Sequence, residues 1–230
     1  MVRKYDENLV SRVTCDSSYI DKTNDTLEQR KKLKITLKNK KQEKTATIIM
    51  MNPSKADNDK SDKTVDAVVE FFGNLNSKSY YVSSKEMEKL KEIKYLQITN
   101  LFSIYNPKSK ELKNSIDNIM KYVMKEYFKK LMDDNFRSIK ESIDKSDIVI
   151  IGWGNCPTNF NEILYIKRIC EIVKYLKGKE ILLLAFKIYD TKFKKIKSIT
   201  ERGNPYHPIN GDIVGVVKIY IDEHLDIIRL

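Results

Sequence analysis

Four short segments hold residue types that could carry chemistry. Asn52-Pro53-Ser54 sets an amide, a rigid bend and a hydroxyl side by side, a combination that can hold a water or read a ligand edge. Asn100, two residues before Phe102, carries an amide that donates and accepts at once, as discrimination of a nucleobase edge requires. Trp153 stands between Gly152 and Gly154, whose missing side chains let a neighbour or ligand approach the backbone. His207, between Tyr206 and Pro208, is a histidine in a rigid turn, suited to donating a hydrogen bond to a developing anion. Each residue also has a plain structural reading: an Asx turn for Asn52, a cap for Asn100, burial for Trp153, a turn contact for His207. Asp57, Asp59, Asp62 and Asp66 follow Ser54 closely. These carboxylates could orient a water or a divalent ion, or Asp62 could cap the next helix while the others face solvent.

The elements around these residues explain why they belong together. Leu33 to Leu37, Ala46 to Met51, Tyr95 to Thr99, Ile148 to Ile151, Ile181 to Phe186 and Ile213 to Ile221 are aliphatic or β-branched runs of strand length. Val65, Val68, Val69 and Phe72 hold helical spacing after Asp62, with Gly73 as the stop. A long amphipathic helix is expected between Asn114 and Ile143, and another between Phe160 and Leu176, ending at Gly178. Strand, loop and helix recur three times, so the expected fold is α/β: three layers, a largely parallel central sheet with helices on both faces, and a β-rich N-terminal cap. The chain reads as a single domain over 1–230. In such sheets ligands bind at the carboxyl ends of strands, which is where Asn52 to Ser54, Asn100 to Phe102 and Gly152 to Gly154 fall. Asn52, Asn100, Trp153 and His207 are therefore expected to converge on one cleft.

Composition narrows the chemistry. The 230 residues include 41% hydrophobic side chains, enough for one sizeable core. No apolar run approaches the ~20 residues a membrane span needs, and Met1 to Val10 has no apolar leader segment, so a cytoplasmic protein without a membrane partner is expected. Cys15, Cys156 and Cys170 form no Cys-x-x-Cys pair, and with His207 and His224 as the histidines no zinc or iron-sulfur set is available. The glycines form neither a P-loop nor a dinucleotide fingerprint, so no metal and no cofactor is expected. The net charge of +11 suits a polyanion, although 36 Lys against 7 Arg is also what an adenine-rich coding sequence would produce. Two segments concentrate it: 28–44 carries +6 and 179–202 carries +4.

In order along the chain, Met50-Met51-Asn52-Pro53-Ser54-Lys55-Ala56-Asp57, Asp62-Lys63-Thr64, Asn100-Leu101-Phe102 with Asn106-Pro107, Gly152-Trp153-Gly154 and Gly203-Asn204-Pro205-Tyr206-His207-Pro208 resemble the bacterial and phage family catalogued as domain of unknown function 1643. The resemblance covers roughly 30–210. It leaves the stretch near Leu75 to Lys91 and a C-terminal extension over 211–230 as additions. The motif order is in turn similar to that of the uracil-DNA glycosylase superfamily. That likeness implies a glycosylase-like fold in which Asn52 holds the hydrolytic water, Asn100 reads the base and His207 stabilises the departing base. Pro53, Ser54, Phe102, Trp153 and Pro208 would line the substrate site, with Asp57 and Asp62 as additional candidates. Met50 replaces the family's usual glycine, Asn52 is a weaker water activator than aspartate, and Ile209 replaces the serine after the late His-Pro.

The function expected is thus binding of a nucleobase, nucleotide or nucleic acid, with N-glycosidic hydrolysis after base flipping as the activity the resemblance implies. A binding module that kept the pocket without the hydrolysis, such as a sensor of modified nucleotides or a phage-defence component, is the alternative. A hydrolase using a divalent ion at the Asp57 to Asp66 cluster is a third.

Overall fold

The computed structural model describes residues 2–20, 28–75, 80–105, 113–114, 116–117, 125–158 and 160–229. Eleven strands and four helices are named here in chain order. The strands are β1 (Val2–Lys4), β2 (Val10–Tyr19), β3 (Glu28–Leu37), β4 (Lys44–Met50), β5 (Lys60–Asp62), β6 (Ile93–Asn100), β7 (Ile148–Ile151), β8 (Leu182–Asp190), β9 (Lys195–Lys197), β10 (Asp212–Ile221) and β11 (Ile227–Arg229). The helices are α1 (Lys63–Gly73), α2 (Ser84–Lys91), α3 (Lys125–Asp144) and α4 (Glu162–Lys177).

The local chemistry of these elements is that of their side chains. Asp62 caps α1 by accepting from Thr64 N at 3.0 Å and Val65 N at 3.2 Å, and Val65, Val68, Val69 and Phe72 form its buried stripe. Asn161 caps α4 through Leu164 N, and Gly178 is its C-cap. Ile148 to Ile151 is buried at every residue, as a strand covered on both faces must be. The expected long helix is present as α3, and residues 113–114 and 116–117 are also helical; the rest of its expected N-terminal part lies outside the described residues, as does Asn106-Pro107.

The main sheet runs β11-β10-β8-β7-β4-β6-β3-β2, with β9 paired to β8. Its centre, β8-β7-β4-β6, is parallel; β2, β3, β9, β10 and β11 are all antiparallel to their neighbours. The sheet is therefore mixed, which corrects the expectation of a largely parallel one. Hairpin connectivity contributes: β8 turns into β9 and β10 turns into β11 through short described turns, with no helical crossover to carry the chain back. The N-terminal quarter is β-rich as expected, and it forms one edge of this sheet. The C-terminal extension supplies β10, which lies beside β8 from Asp212↔Tyr189 to Lys218↔Leu184.

Alternation along the central strands feeds two cores. Ile49, Val149, Ile151, Leu183 and Ala185 face the layer of α3 and α4. Ile48, Met50, Ile148, Ile150, Leu184 and Phe186 face the layer of α1 and α2. Helices thus cover both faces of the parallel centre. From β4 the chain moves to β6 on one side and later to β7 on the other, so the strand order reverses at the β4–β7 boundary. At such a switch point the connections leave the sheet toward opposite faces and open a crevice. No described helix is long and apolar enough to cross a membrane.

Candidate functional site

A cleft of about 300 Å³ opens at that boundary. Its floor is the carboxyl end of β4, Met50 and Met51, continuing into Asn52, Pro53 and Ser54. The second wall follows β7: Trp153, Gly154, Asn155, Cys156, Pro157 and Thr158. Thr64 at the start of α1 and His207, Ile209 and Asn210 from the loop before β10 complete it. No Asp, Glu, Lys or Arg is among these residues, so the cleft presents amides, hydroxyls, one imidazole and one thiol.

His207 is the most constrained of them. Its Nδ1 accepts a hydrogen bond from Ile209 N at 3.1 Å, so in the neutral ring the proton sits on Nε2. Desolvation lowers its pKa to about 4, with Asp62 pulling weakly the other way. At neutral pH the group is a neutral Nε2–H donor.

The loop that carries His207 rests on the two glycines of the β7 end. A side chain at Gly152 would meet Tyr206 O at 3.3 Å and Pro208 Cδ at 3.4 Å. Gly154 has φ +75° and a Cβ there would lie 3.2 Å from His207 Cβ, while Gly154 N donates to Pro205 O at 2.9 Å. Tyr165 from α4 donates to Gly154 O, and burial raises its phenol pKa well above the ordinary value. Trp153 is 1% exposed, and its indole N–H donates to Asn204 Oδ1 at 3.3 Å. The tryptophan is a fixed wall rather than an open stacking face. Asn204 and Thr200 both bond Asn155 Oδ1, at 3.1 and 2.8 Å, and so tie the late loop to the rim.

The Asn52–Ala56 segment is held from behind. Arg30 of β3, 1% exposed, donates from Nη1 to Ala56 O at 2.5 Å and to Ser54 O at 3.4 Å. Asp62 accepts from Ala56 N at 3.1 Å through the carboxylate oxygen that α1 does not use. Asn52 is half-buried at the cleft, and its amide donates to Pro53 O at 3.2 Å. Cys156 is half-buried, and burial pushes its thiol pKa up, which keeps it protonated and weakly nucleophilic.

Of the residues expected in the site, Asn52, Pro53, Ser54, Trp153 and His207 line one cleft. Asn100, Phe102, Pro208, Asp57 and Asp62 do not. Asn100 pairs with Met50 in register, on the side of β4 away from β7, and is 0% exposed. The switch point separates them, since the chain after β6 turns toward the α3 layer. There Asn135 donates to the carbonyls of Asn100 and Leu101, at 3.0 Å each. Neither polar atom of the Asn100 side chain has a partner among the described residues. Phe102 is a core residue, its ring edge-on to Phe160 at 5.1 Å. Pro208 is buried behind the loop; Asp57 is exposed and closes its own turn on Asp59 N and Lys60 N. Asp62 lies behind the wall as cap and brace. Among the described residues, no three His, Cys, Asp or Glu side chains gather to hold a metal ion.

Sequence reasoning missed Asn155, Thr158 and Asn210, which extend the strand-end and His-Pro segments by a few residues and could have been included by the same rule. It missed Arg30 as well, which nothing in a lysine-rich strand distinguishes.

No curated protein and no solved structure matches the chain in comparison. The family model described as "Protein of unknown function (DUF1643)" matches residues 30–84 and 84–209, well over half of the chain. These bounds take in the Asn52–Ser54 turn, both glycines beneath the histidine loop and His207 itself, so the protein belongs to the DUF1643 family.

Proposed function

We propose that the cleft binds a nucleobase, and that where catalysis follows it is hydrolysis of the N-glycosidic bond in a glycosylase-like manner. The observation that carries this reading is His207: a neutral ring with its tautomer fixed, in a cleft lined by Asn52, Asn155 and Asn210 with no charged side chain among the described lining residues. A base is a neutral, flat group with a hydrogen-bonding edge, and amides are the side chains that answer both its donors and its acceptors. In the hydrolysis, water oxygen bonds to the anomeric carbon as the carbon–nitrogen bond breaks, the electron pair leaves on the base, and the proton the water loses ends on that released base. A neutral Nε2–H would donate to that developing anion without holding the ground state as an ion pair. Asn52 would hold the water.

A second reading is favoured by a specific observation. With no carboxylate among the described lining residues, none of them is a strong base toward water, which suits a binding module that recognises a base without cleaving it. A mass-spectrometric screen for base released from modified and unmodified DNA, RNA and nucleotides separates the two. Release that disappears in His207→Ala supports hydrolysis. Retention of base or nucleotide with no release supports the binding module, and neither release nor retention removes the nucleobase reading altogether.

A further inference from the structure

The hairpin of β8 and β9 projects beyond the carboxyl end of the parallel centre and leads directly into the histidine loop. Residues 191–196 are all exposed. Asp190 Oδ1 accepts from Lys192 N and Phe193 N, at 3.1 Å each, and Lys194 adopts φ +51°, so the tip is a built turn. It displays Lys192, Lys194 and Lys195, none of them in an ion pair among the described residues. Phe193 stands between them with 55% of its surface exposed, and Lys197 Nζ lies 4.4 Å from its ring centre.

From the tip the chain runs through β9 to Ser198, which accepts from Tyr206 N at 2.8 Å, and Ile199 bridges Pro205. Tyr206 and Pro205 immediately precede His207. Ser198 is four residues from Lys194, roughly 13 Å of extended chain, so the lysines stand within a few nucleotide lengths of the cleft. The other basic segment is placed differently. β3 runs antiparallel to β6, so Arg30 starts at the cleft end of the sheet but is buried as a brace under Ser54 and Ala56, Lys34 lies over Tyr95 at 4.7 Å, and Lys38 to Lys44 follow at the opposite end. Of the two concentrations of positive charge, the hairpin is the one joined to the histidine loop.

We infer that this hairpin is a nucleic-acid arm: its lysines contact the phosphodiester backbone of a strand and Phe193 stacks on an unpaired base, which makes the ligand of the cleft a base within a polymer rather than a free nucleotide. The inference rests on the nucleobase reading of the cleft and deepens it. Free nucleotides need charge at the cleft itself, and none of its described lining residues carries any. A polymer can be held by charge one hairpin away, and exposed aromatic and lysine side chains in one turn are a sequence-tolerant platform for a single strand.

The test is binding of the full chain to labelled 20-nucleotide DNA and RNA single strands over a salt series, with a mononucleotide as competitor and anionic phosphatidylserine vesicles as a second polyanion. The arm variant replaces Lys192, Lys194 and Lys195 by Gln, and a control of equal charge replaces Lys85, Lys89 and Lys91 of α2. The wild-type affinity is expected to fall steeply with salt, and the arm variant to flatten the log–log slope by about 2, since each phosphate contact contributes about 0.7. Phe193→Ala is expected to weaken binding about tenfold. The control is expected to behave as wild type, and the DNA and RNA arms identify which strand is preferred. Equal losses in arm and control variants, unchanged slopes, no oligonucleotide affinity at low salt, capture by vesicles alone, or a mononucleotide binding as tightly as the 20-mer would each overturn the arm. The cleft reading fails separately, through absence of base release and of any change in base recognition in His207→Ala while strand binding persists.

Discussion

The two ends of the parallel centre are built by different rules. At the amino end, charge is paired and polar groups are met: Lys44 with Asp147 at 2.9 Å, Lys179 with Asp144 at 2.6 Å, Lys94 with Glu43 at 3.1 Å. The buried Thr47 hydroxyl there reaches Ser142 O at 3.1 Å and Ser146 Oγ at 2.7 Å. At the carboxyl end the opposite holds. Among the described residues, the buried side-chain atoms without a partner are Ser54 Oγ, Ser61 Oγ, Thr99 Oγ1, both polar atoms of Asn100, Asn135 Oδ1, Arg30 Nε and Nη2, and Arg168 Nη2. All of these residues lie at, or hydrogen-bond to, the segments that follow β4 and β6 or the turn into α1. An unmet buried group costs about 1 to 3 kcal/mol, so their gathering at one end marks the place where the fold gives up stability for something else.

The largest effect that would sharpen this contrast is kinetic. If the cleft hydrolyses a glycosidic bond, His207→Ala should cost roughly a hundredfold or more in turnover, about 2.7 to 4 kcal/mol of barrier, with melting unchanged because a half-buried turn residue adds little to the core. A variant that loses its melting transition would show His207 to be structural, and the donor role would go with it.

Next in size is Asp62→Ala, which removes the cap of α1 and the brace on Ala56 N in one step. A destabilisation of about 2 kcal/mol is expected from urea denaturation, since a lost cap and an unmet backbone donor each contribute about 1. A loss under half of that would mean the Asn52–Ala56 turn holds itself.

One substitution made twice tests the comparison most directly. Thr47→Val removes a hydroxyl with partners and should destabilise by about 1 kcal/mol, whereas Thr99→Val removes one without and should be neutral or stabilising. Equal losses in the two variants, read from denaturation midpoints at constant m, would erase the distinction between the ends.

A further test is with pH. His207 binds its proton less readily folded than unfolded, so the unfolded chain takes up more protons between about pH 6.5 and 4. Its contribution to stability is complete above about 6.5 and is lost as pH falls toward 4. Ligand binding that needs the neutral ring should hold through pH 6 and fall near 4. A binding midpoint near 6.5 would indicate an ordinary, solvated imidazole.

Much of this was legible from residue order. Aliphatic and β-branched runs bounded by polar segments placed the four central strands, Ile148 to Ile151 most plainly because it is covered on both faces, and Asp62 and Gly178 punctuate the helices by their capping chemistry. The rule that ligands sit at strand ends, applied to Asn52 and Trp153, reached the cleft because these residues follow adjacent strands at the switch point. The same rule placed Asn100 in the site, yet its strand lies across β4, and strand order is a matter of which pairs close in space. The lysine count reported a positive chain without saying where, since only the fold buries Arg30 and carries Lys38 to Lys44 to the opposite end of the sheet, while the β8–β9 hairpin displays its lysines in a turn joined to the histidine loop. Arg30 shows the limit most clearly. In sequence it is one cation among many, and tertiary packing alone buries it behind Ser54 and Ala56, because a side chain's burial depends on what the rest of the chain lays over it.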